Sequence, residues 1–443
     1  METSVISRET IKPSSPTPNE LKTHELCLFD VFQLNTYFPL ILFYRKTNYM
    51  QGFSNVSTRL KISLSKALTI FYPLGGRRNN YFSIDCNDEG AIYIEASLNI
   101  SMEEFLKPPK LELLNQLLPC EPNKCHPREE ILPQLLVQVN LFQCGGIAIG
   151  LCNLHTILDA YSCSAFVKTW SSIYKGSKEE LAKPDFFFAS SFVPPRNTFG
   201  VRSGVLSINQ SSNVEEKCTT RRFLFDTKAI NGLKAMLESE GMINTTPTRY
   251  KVVSSFICKH MILACMKECC DSTRPMVVLH VMDMRKRIGE PFSKDSIGNL
   301  LWPALVVLEN INEDTNVGDM VRILEEELGK VNKELFLKVK NDPSFFWSDE
   351  CAKLMHEGIM NKHPISYVFT SWANMGFDDI DFGWGKPLWL AQRGGTQETI
   401  PNTVVLMETK EGIEVWLTMP EKHIVILEHD MDFLKFACLN PSI

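Results

Sequence analysis

The stretch that decides the fold reads LLVQVNLF (135–142), QCGG (143–146), IAIGLCNL (147–154), HTILD (155–159). Leu135 to Phe142 is apolar and partly alternating, with Gln138 and Asn140 on one face. Cys144-Gly145-Gly146 is a turn, and Ile147 to Leu154 is a second apolar run. Two strands joined by a tight glycine turn make a hairpin. After it come His155 and Asp159, then a helical stripe of Phe166, Val167, Trp170, Ile173 and Tyr174. His155 therefore stands where the chain leaves a buried strand, and a rigid scaffold aims side chains at such places into clefts.

Working outward, Leu60, Leu64, Ala67, Leu68 and Phe71 fall at helical spacing, closed by Pro73 and Gly75-Gly76. Tyr81 to Ala96 reads as two short strands around the turn Asn87-Asp88-Glu89-Gly90. The first twenty residues, punctuated by Pro13, Pro16 and Pro18, are expected to be extended and exposed. Ser190 to Thr220, with Pro194-Pro195 and little periodicity, reads as a linker. Beyond it the pattern predicts a strand at Arg222–Phe225 and a helix at Ala229–Leu237. One long helix is expected over Val317–Val339, with Leu324, Leu328, Val331 and Leu335 in phase. Further strands are expected at Tyr367–Trp372, Val404–Glu408 and Ile413–Leu417. There is no strict βαβα alternation, so the class is mixed α/β. At 443 residues the chain is expected to form two domains, 1–195 and 221–443, joined by a crossover linker at 196–220.

A net charge of −6 argues against nucleic acid as a partner, which a basic stripe would mark. No apolar run is long enough to span a bilayer, and the polar start Met1-Glu2-Thr3 carries no signal stretch, so a cytoplasmic protein without membrane contact is expected. The 14 cysteines are then expected to stay reduced. Cys265, Cys269 and Cys270 lack the spacing of a zinc site, so no metal is expected.

Of the nine histidines, only His155 has Asp four residues on. Three readings compete: half of a metal pair, for which no third ligand is visible; a satisfied structural histidine; and a general base whose loop is held by the acidic residue. Far downstream lies Asp381-Phe382-Gly383-Trp384-Gly385-Lys386-Pro387. Its first three residues mimic a kinase motif, but the glycine-rich loop, strand lysine and H-R-D loop of a kinase are missing. There is no G-x-S-x-G elbow and no dinucleotide fingerprint. A hydrolase would need a nucleophile near His155, for which Ser162 and Cys163 are the candidates.

His155–Asp159 followed by Asp381–Pro387 resembles the pairing found in the BAHD family of plant acyl-CoA-dependent acyltransferases. Lys12-Pro13-Ser14-Ser15-Pro16-Thr17-Pro18, Phe71-Tyr72-Pro73-Leu74-Gly75-Gly76-Arg77, Cys86-Asn87-Asp88-Glu89-Gly90, Asp283-Met284-Arg285-Lys286-Arg287, Gly298-Asn299 and Thr370-Ser371-Trp372 follow the family's order along nearly the whole chain. The resemblance implies a two-domain, chloramphenicol-acetyltransferase-like fold with a channel between the domains. It implies His155 as general base, with Asp159 turned away to pair with Arg285 and hold the loop. It places Thr370 and Trp372 on the oxyanion side. It makes Arg285, Asp381, Gly383 and Gly385 structural. The partners would be an acyl-CoA co-substrate, with no permanently bound cofactor, and a small hydroxylated metabolite; a monomer is expected.

One departure stands beside Asp159: Ala160 occupies a position where the family usually has Gly. A helix starting at Asp159 accepts Ala there, whereas a positive φ would strain it. The opening run and Asn374-Met375-Gly376 resemble the branch that acylates alkaloids, terpenoid alcohols and sugar esters. Arg285–Pro291 and Val331–Glu334 look most like acylsugar acyltransferases, which esterify sucrose hydroxyls with short acyl chains. The other acceptor to weigh is an indole alkaloid alcohol, as in vinorine-synthase-like enzymes. The reading from a different class is a non-catalytic relative that binds a metabolite.

Overall fold

In a computed structural model the chain is described except at residues 34, 49, 51, 123, 125, 128–129, 178–180, 182, 196–216, 240–246, 269–275, 291, 309–314, 343–363 and 398–401. The apolar alternation around residue 145 does form a hairpin. Leu135–Leu141 runs antiparallel to Ile147–Leu154, with Leu141 opposite Ile147. Gly145, at φ +84°, makes the turn, a conformation that disfavours any residue with a Cβ. This hairpin sits inside a six-stranded mixed sheet. Its order is Thr3–Ile11, Ala91–Leu98, Leu135–Leu141, Ile147–Leu154, Tyr37–Tyr44 and Trp389–Ala391.

A second sheet orders Leu301–Leu308, Met276–Asp283, Ile365–Ser371, Thr403–Glu408, Gly412–Pro420, Cys218–Asp226 and Gly395–Gln397, with Cys438–Leu439 also paired to Cys218–Asp226. Met276–Asp283 is antiparallel to Leu301–Leu308 but parallel to Ile365–Ser371, so this sheet is mixed as well. Helices Phe53–Ile70 and Ala160–Lys175 pack together on the first sheet, and Arg249–Glu268 with Val317–Lys330 on the second. Each sheet has its own apolar core. The largest members of the first, such as Trp170 and Phe43, are fully buried, each stabilising the fold by about 2–3 kcal/mol through water released from its surface.

The two halves are laced together. Trp389–Ala391, from the second half of the chain, closes the first sheet against Tyr37–Tyr44, with Leu390 opposite Leu42. Phe382, Trp384 and Trp416 belong to the first core, while Cys27, Leu28 and Phe29 belong to the second. The division expected at residue 221 therefore does not coincide with the division between sheets. Cys218–Asp226 also begins three residues inside the expected linker, whose stretch 196–216 lies outside the described residues.

One other expectation is corrected and two are filled in. The first residues are extended and mostly exposed as expected, and Thr3–Ile11 forms an edge strand of the first sheet. The two strands expected around Asn87–Gly90 are present, Ser83–Asp85 joining Thr23–Glu25 and Arg77–Arg78, and Ala91–Leu98 joining the first sheet. The helix over 317–339 is two helices, Val317–Lys330 and Lys333–Asn341. Asn332 breaks it by acting as an N-cap, its side chain accepting from the Leu335 amide at 3.0 Å.

Two buried histidines make the fold acid-sensitive. Burial lowers His24, packed edge-on to Phe186, to about 4, and His280, inside the second sheet, to about 3. An unfolded histidine takes up its proton near pH 6.5, whereas these folded ones stay neutral to much lower pH. Stability is thus complete above pH 6.5 and is lost as pH falls toward 4. At pH 5 the His24 contribution alone amounts to about 2 kcal/mol of destabilisation relative to pH 7.5. Urea titrations at the two pH values should show it, with a smaller difference in His24→Gln; an equal difference would refute the assignment.

Candidate active site

From Gly146 to Ala160 every residue is buried except His155, which is half-buried. The strand end that the glycine hairpin delivers is thus a sealed wall with one opening. The His155 backbone is held on both sides: its amide donates to the Thr36 carbonyl at 3.1 Å, and its carbonyl accepts from Asn299 Nδ2 at 3.0 Å. The ring stands edge-on to Phe38, centroids 5.5 Å apart, and Phe38 lies 4.7 Å from the Trp372 ring. Burial lowers the His155 pKa, against the opposing pull of Asp159, its own carbonyl, Asn299 and Asp30. The imidazole is therefore neutral at neutral pH, the form that accepts a proton.

Asp159 caps helix Ala160–Lys175, and its Oδ1 accepts from the Ser162 amide at 2.8 Å. Its Oδ2 accepts from Arg285 Nη1 at 2.7 Å and from the Leu300 amide at 3.2 Å. Both side chains of this ion pair are almost wholly buried. The carboxylate thus serves Arg285 and the helix, and the bonds it makes tie down the His155 loop from behind. Arg285 is saturated in turn. Nε donates to the Ser296 carbonyl, Nη1 also to Asp283, and Nη2 to the Ser162 hydroxyl and the Gly298 carbonyl. Ala160 is the first residue of the helix and has no positive φ, so the departure from Gly causes no strain here.

Trp372 lies one residue beyond strand Ile365–Ser371 and is buried between Phe38 and Phe377. Thr370, two residues back and so on the same face, is half-buried. The second sheet thus brings Trp372 to the Phe38 wall beside His155. Asp381 lies elsewhere. Its Oδ1 accepts from the amides of Gly383 and Gly385 at 2.7 and 2.8 Å, and its Oδ2 pairs with Lys175 at 2.8 Å. Burial would raise its pKa, but these bonds outweigh it and hold the carboxyl below its usual range. Gly383 and Gly385 sit at φ +89° and +91°. The loop they form presses Phe382 and Trp384 against Tyr44 and Tyr174 of the first half, and Tyr44 donates to the Ile380 carbonyl.

The hydrolase candidates are unavailable for attack. Ser162 is buried and its hydroxyl is bound by Arg285 and Gly298, while burial pushes the Cys163 thiol up to about 12. Cys265 is buried, and Cys269 and Cys270 lie outside the described residues; among those described, no cluster of three or more His, Cys, Asp or Glu suits a metal ion. No described helix is long and apolar enough to cross a membrane.

Sequence reasoning missed Asp30 and Phe38 and gave Asn299 no role. Phe38 carried a signal, being an aromatic on an apolar strand that pairs, at Asn153, near the end of the His155 strand. Asp30 carried none, because its partner is Asn299, on the other half of the chain.

With this geometry in place, comparison with known proteins gives one answer. The model of the transferase family matches residues 1–434. The chain is similar to akuammiline synthase 2 of Alstonia scholaris, 34% identical over all of this chain and 98% of that protein. It belongs to the BAHD family of acyl-CoA-dependent acyltransferases. Limonoid 1-O-acetyltransferase of Citrus sinensis is 32% identical, covering each protein in full. The crystal structure of vinorine synthase superposes with a TM-score of 0.79 at 28% identity, over 100% of this chain and 99% of that one. The acyltransferase accordingly has the two-sheet fold of its family and uses acyl-CoA as co-substrate.

Two substitutions separate the supports of this acyltransferase. Arg285→Ala leaves Asp159 buried without a cation, which costs about 3–5 kcal/mol, so thermal unfolding should drop sharply; a melting point near wild type would contradict the buried pair. Asp381→Ala removes the acceptor of two amides at a half-exposed loop and costs about 1–3 kcal/mol. Its melting point and yield should fall while the acceptor KM holds; a well-folded variant with only an acceptor-binding defect would contradict the structural role.

Proposed function

We propose that this acyltransferase esterifies a hydroxyl of a polycyclic plant alcohol with a short acyl group from acyl-CoA, with His155 as the base. The observation that carries the reading is the neutral, half-buried imidazole set against Phe38 and Trp372 in an otherwise sealed wall. His155 takes the proton of the acceptor hydroxyl as its oxygen attacks the thioester carbonyl. The tetrahedral oxyanion forms on the side of Thr370 and Trp372. Its collapse expels the coenzyme A thiolate, which takes the proton back from the imidazolium, leaving an ester and free coenzyme A. The acceptor and the thioester meet at His155 from opposite ends of a channel between the two sheets. Proton transfer of this kind contributes about 10²–10⁴-fold.

For the acceptor, an aromatic wall next to the base favours a flat, apolar ring system over a polyhydroxylated sugar, which needs polar partners. The similar proteins named for alkaloid synthesis and limonoid acetylation support the same choice. The stretches that resemble acylsugar enzymes support each other instead: Arg287 Nη1 donates to the carbonyls of Leu328 and Val331. A partly acylated sucrose is the second acceptor to test.

Wild type and His155→Ala are each given acetyl-CoA and longer acyl-CoAs with three acceptor pools: indole alkaloid alcohols, limonoid alcohols and partly acylated sucroses. Mass spectrometry should find a product heavier by one acyl group from wild type and a polycyclic pool, with a loss of about 10²–10⁴-fold in the variant. Product from the sucrose pool alone would overturn the acceptor, and near-normal turnover by His155→Ala would overturn the mechanism.

A further inference from the structure

Two stretches that the resemblance singles out, Phe71–Arg77 and Cys86–Gly90, take no part in the chemistry at His155. The structure brings both into one platform behind it. Arg77 is buried, and its Nη1 donates to the carbonyls of Gly76 and Gly90 at 2.8 and 2.9 Å. Its Nε pairs with Glu89 at 3.0 Å. The Arg77 backbone bridges to Pro133, whose carbonyl accepts from the Tyr37 hydroxyl at 2.8 Å. Gln134 is the next residue, directly before strand Leu135–Leu141.

Gln134 reaches both neighbours of His155. Its backbone carbonyl accepts from the Leu154 amide at 2.9 Å, and its side-chain Oε1 accepts from the Thr156 hydroxyl at 2.6 Å. The His155 amide between them is held by Thr36, the residue before Tyr37. Gln134 and Thr156 are both fully buried. Gln134 Nε2 is buried too, without a hydrogen-bond partner among the described residues. Turning the amide over would only exchange which of its ends is left unbonded. A buried polar pair with one end unbonded is a cost to folding, and apolar residues of the same shapes would fill the space without it. What the pair does supply is geometry: a bond on each side of His155, one from the backbone and one from a side chain.

We propose that Gln134 is a positioning residue: by holding Leu154 and Thr156 it fixes the turn that presents His155, and it ties that turn to the platform of Arg77, Glu89 and Gly90. The inference rests on His155 being the base, but the order of the turn exists whether or not the protein turns over. Gln134 and Thr156 are sealed from solvent, so they act through His155 and not on a reactant. Asp159 and Arg285 secure the loop at its helix end. Gln134 secures it at its strand end, where the motif offers nothing. A loop held at one end alone lets the imidazole swing, and a displacement of about 1 Å can cost about 10²-fold in rate.

The test compares the full-length protein with Gln134→Met and Thr156→Val, singly and together, and with Thr156→Ser. In the double variant both polar partners give way to apolar groups of like shape, so its melting point should match or exceed that of wild type. Its kcat for transfer from acetyl-CoA to an indole alkaloid or limonoid alcohol should still fall about 10–100-fold, with both KM values unchanged. Thr156→Val alone should lose as much, and Thr156→Ser, which keeps the hydroxyl, should regain most of it. Deuterium uptake needs no acceptor and gives the reading if neither alcohol is taken: peptides spanning 154–158 should exchange faster in the double variant while the rest of the chain does not. Wild-type kcat or wild-type uptake in the folded double variant would overturn the proposal. So would a melting point that falls together with kcat and is not rescued by Thr156→Ser, the mark of a merely structural bond. An active His155→Ala would sink the base, while the uptake would still report on Gln134.

Discussion

The buried pair of Arg285 and Asp159 is the constraint from which the rest of the site follows. An ion pair taken out of water gains little by itself, because desolvation offsets the attraction. It becomes tolerable only when every remaining donor and acceptor is satisfied, and here they are: the guanidinium reaches Ser296, Gly298, Ser162 and Asp283 as well as Asp159. Those partners lie on both halves of the chain, so satisfying one arginine fixes the helix that starts at Ala160 against the segment 296–300. His155 sits on the loop between the strand and that helix and inherits its position from both.

The aromatic loop at Asp381 does a parallel job at a distance from the chemistry. Two left-handed glycines and one carboxylate shape the turn, and Phe382 and Trp384 enter the core of the first sheet. Trp389–Ala391, a few residues on, then adds a strand to that sheet. A chain whose second half completes the first sheet cannot let its halves drift apart without breaking strand hydrogen bonds. The rigidity that a positioned base needs is thus built by exchange of elements as well as by the arginine.

What was legible in the sequence was local. The hairpin over 135–154, the helix after Asp159 and the strands near 367, 404 and 413 each declared themselves by period and turn chemistry, and each is present. Boundaries that depend on one polar residue were not: Asn332 splits a helix whose apolar phase runs straight through it. Strand partners were not legible either, because Ser83–Asp85 and Ala91–Leu98 look like a hairpin in one dimension and belong to different sheets in three. His155, Asp159, Arg285 and Trp372 were reached through a resemblance in motif order, and the structure gathers them around one strand end. Asp30 had no such route, since what marks it is a buried acidic group with no cation beside it among the described residues, visible only once burial is known.

This difference bears on how the base is built. A carboxylate bonded directly to the imidazole would stabilise its protonated form, raise its pKa and slow return of the proton to the thiolate. An amide placed between the Asp30 carboxyl group and the His155 backbone carbonyl passes on orientation with little of the charge. Burial can then keep His155 neutral and ready to accept, as its lowered pKa requires. Asp159 is kept from the ring by Arg285, and Asp30 by Asn299. Two acidic side chains thus hold the His155 loop without either one claiming the imidazole proton, which suits the proposed base, a residue that would take a proton and give it back within one turnover.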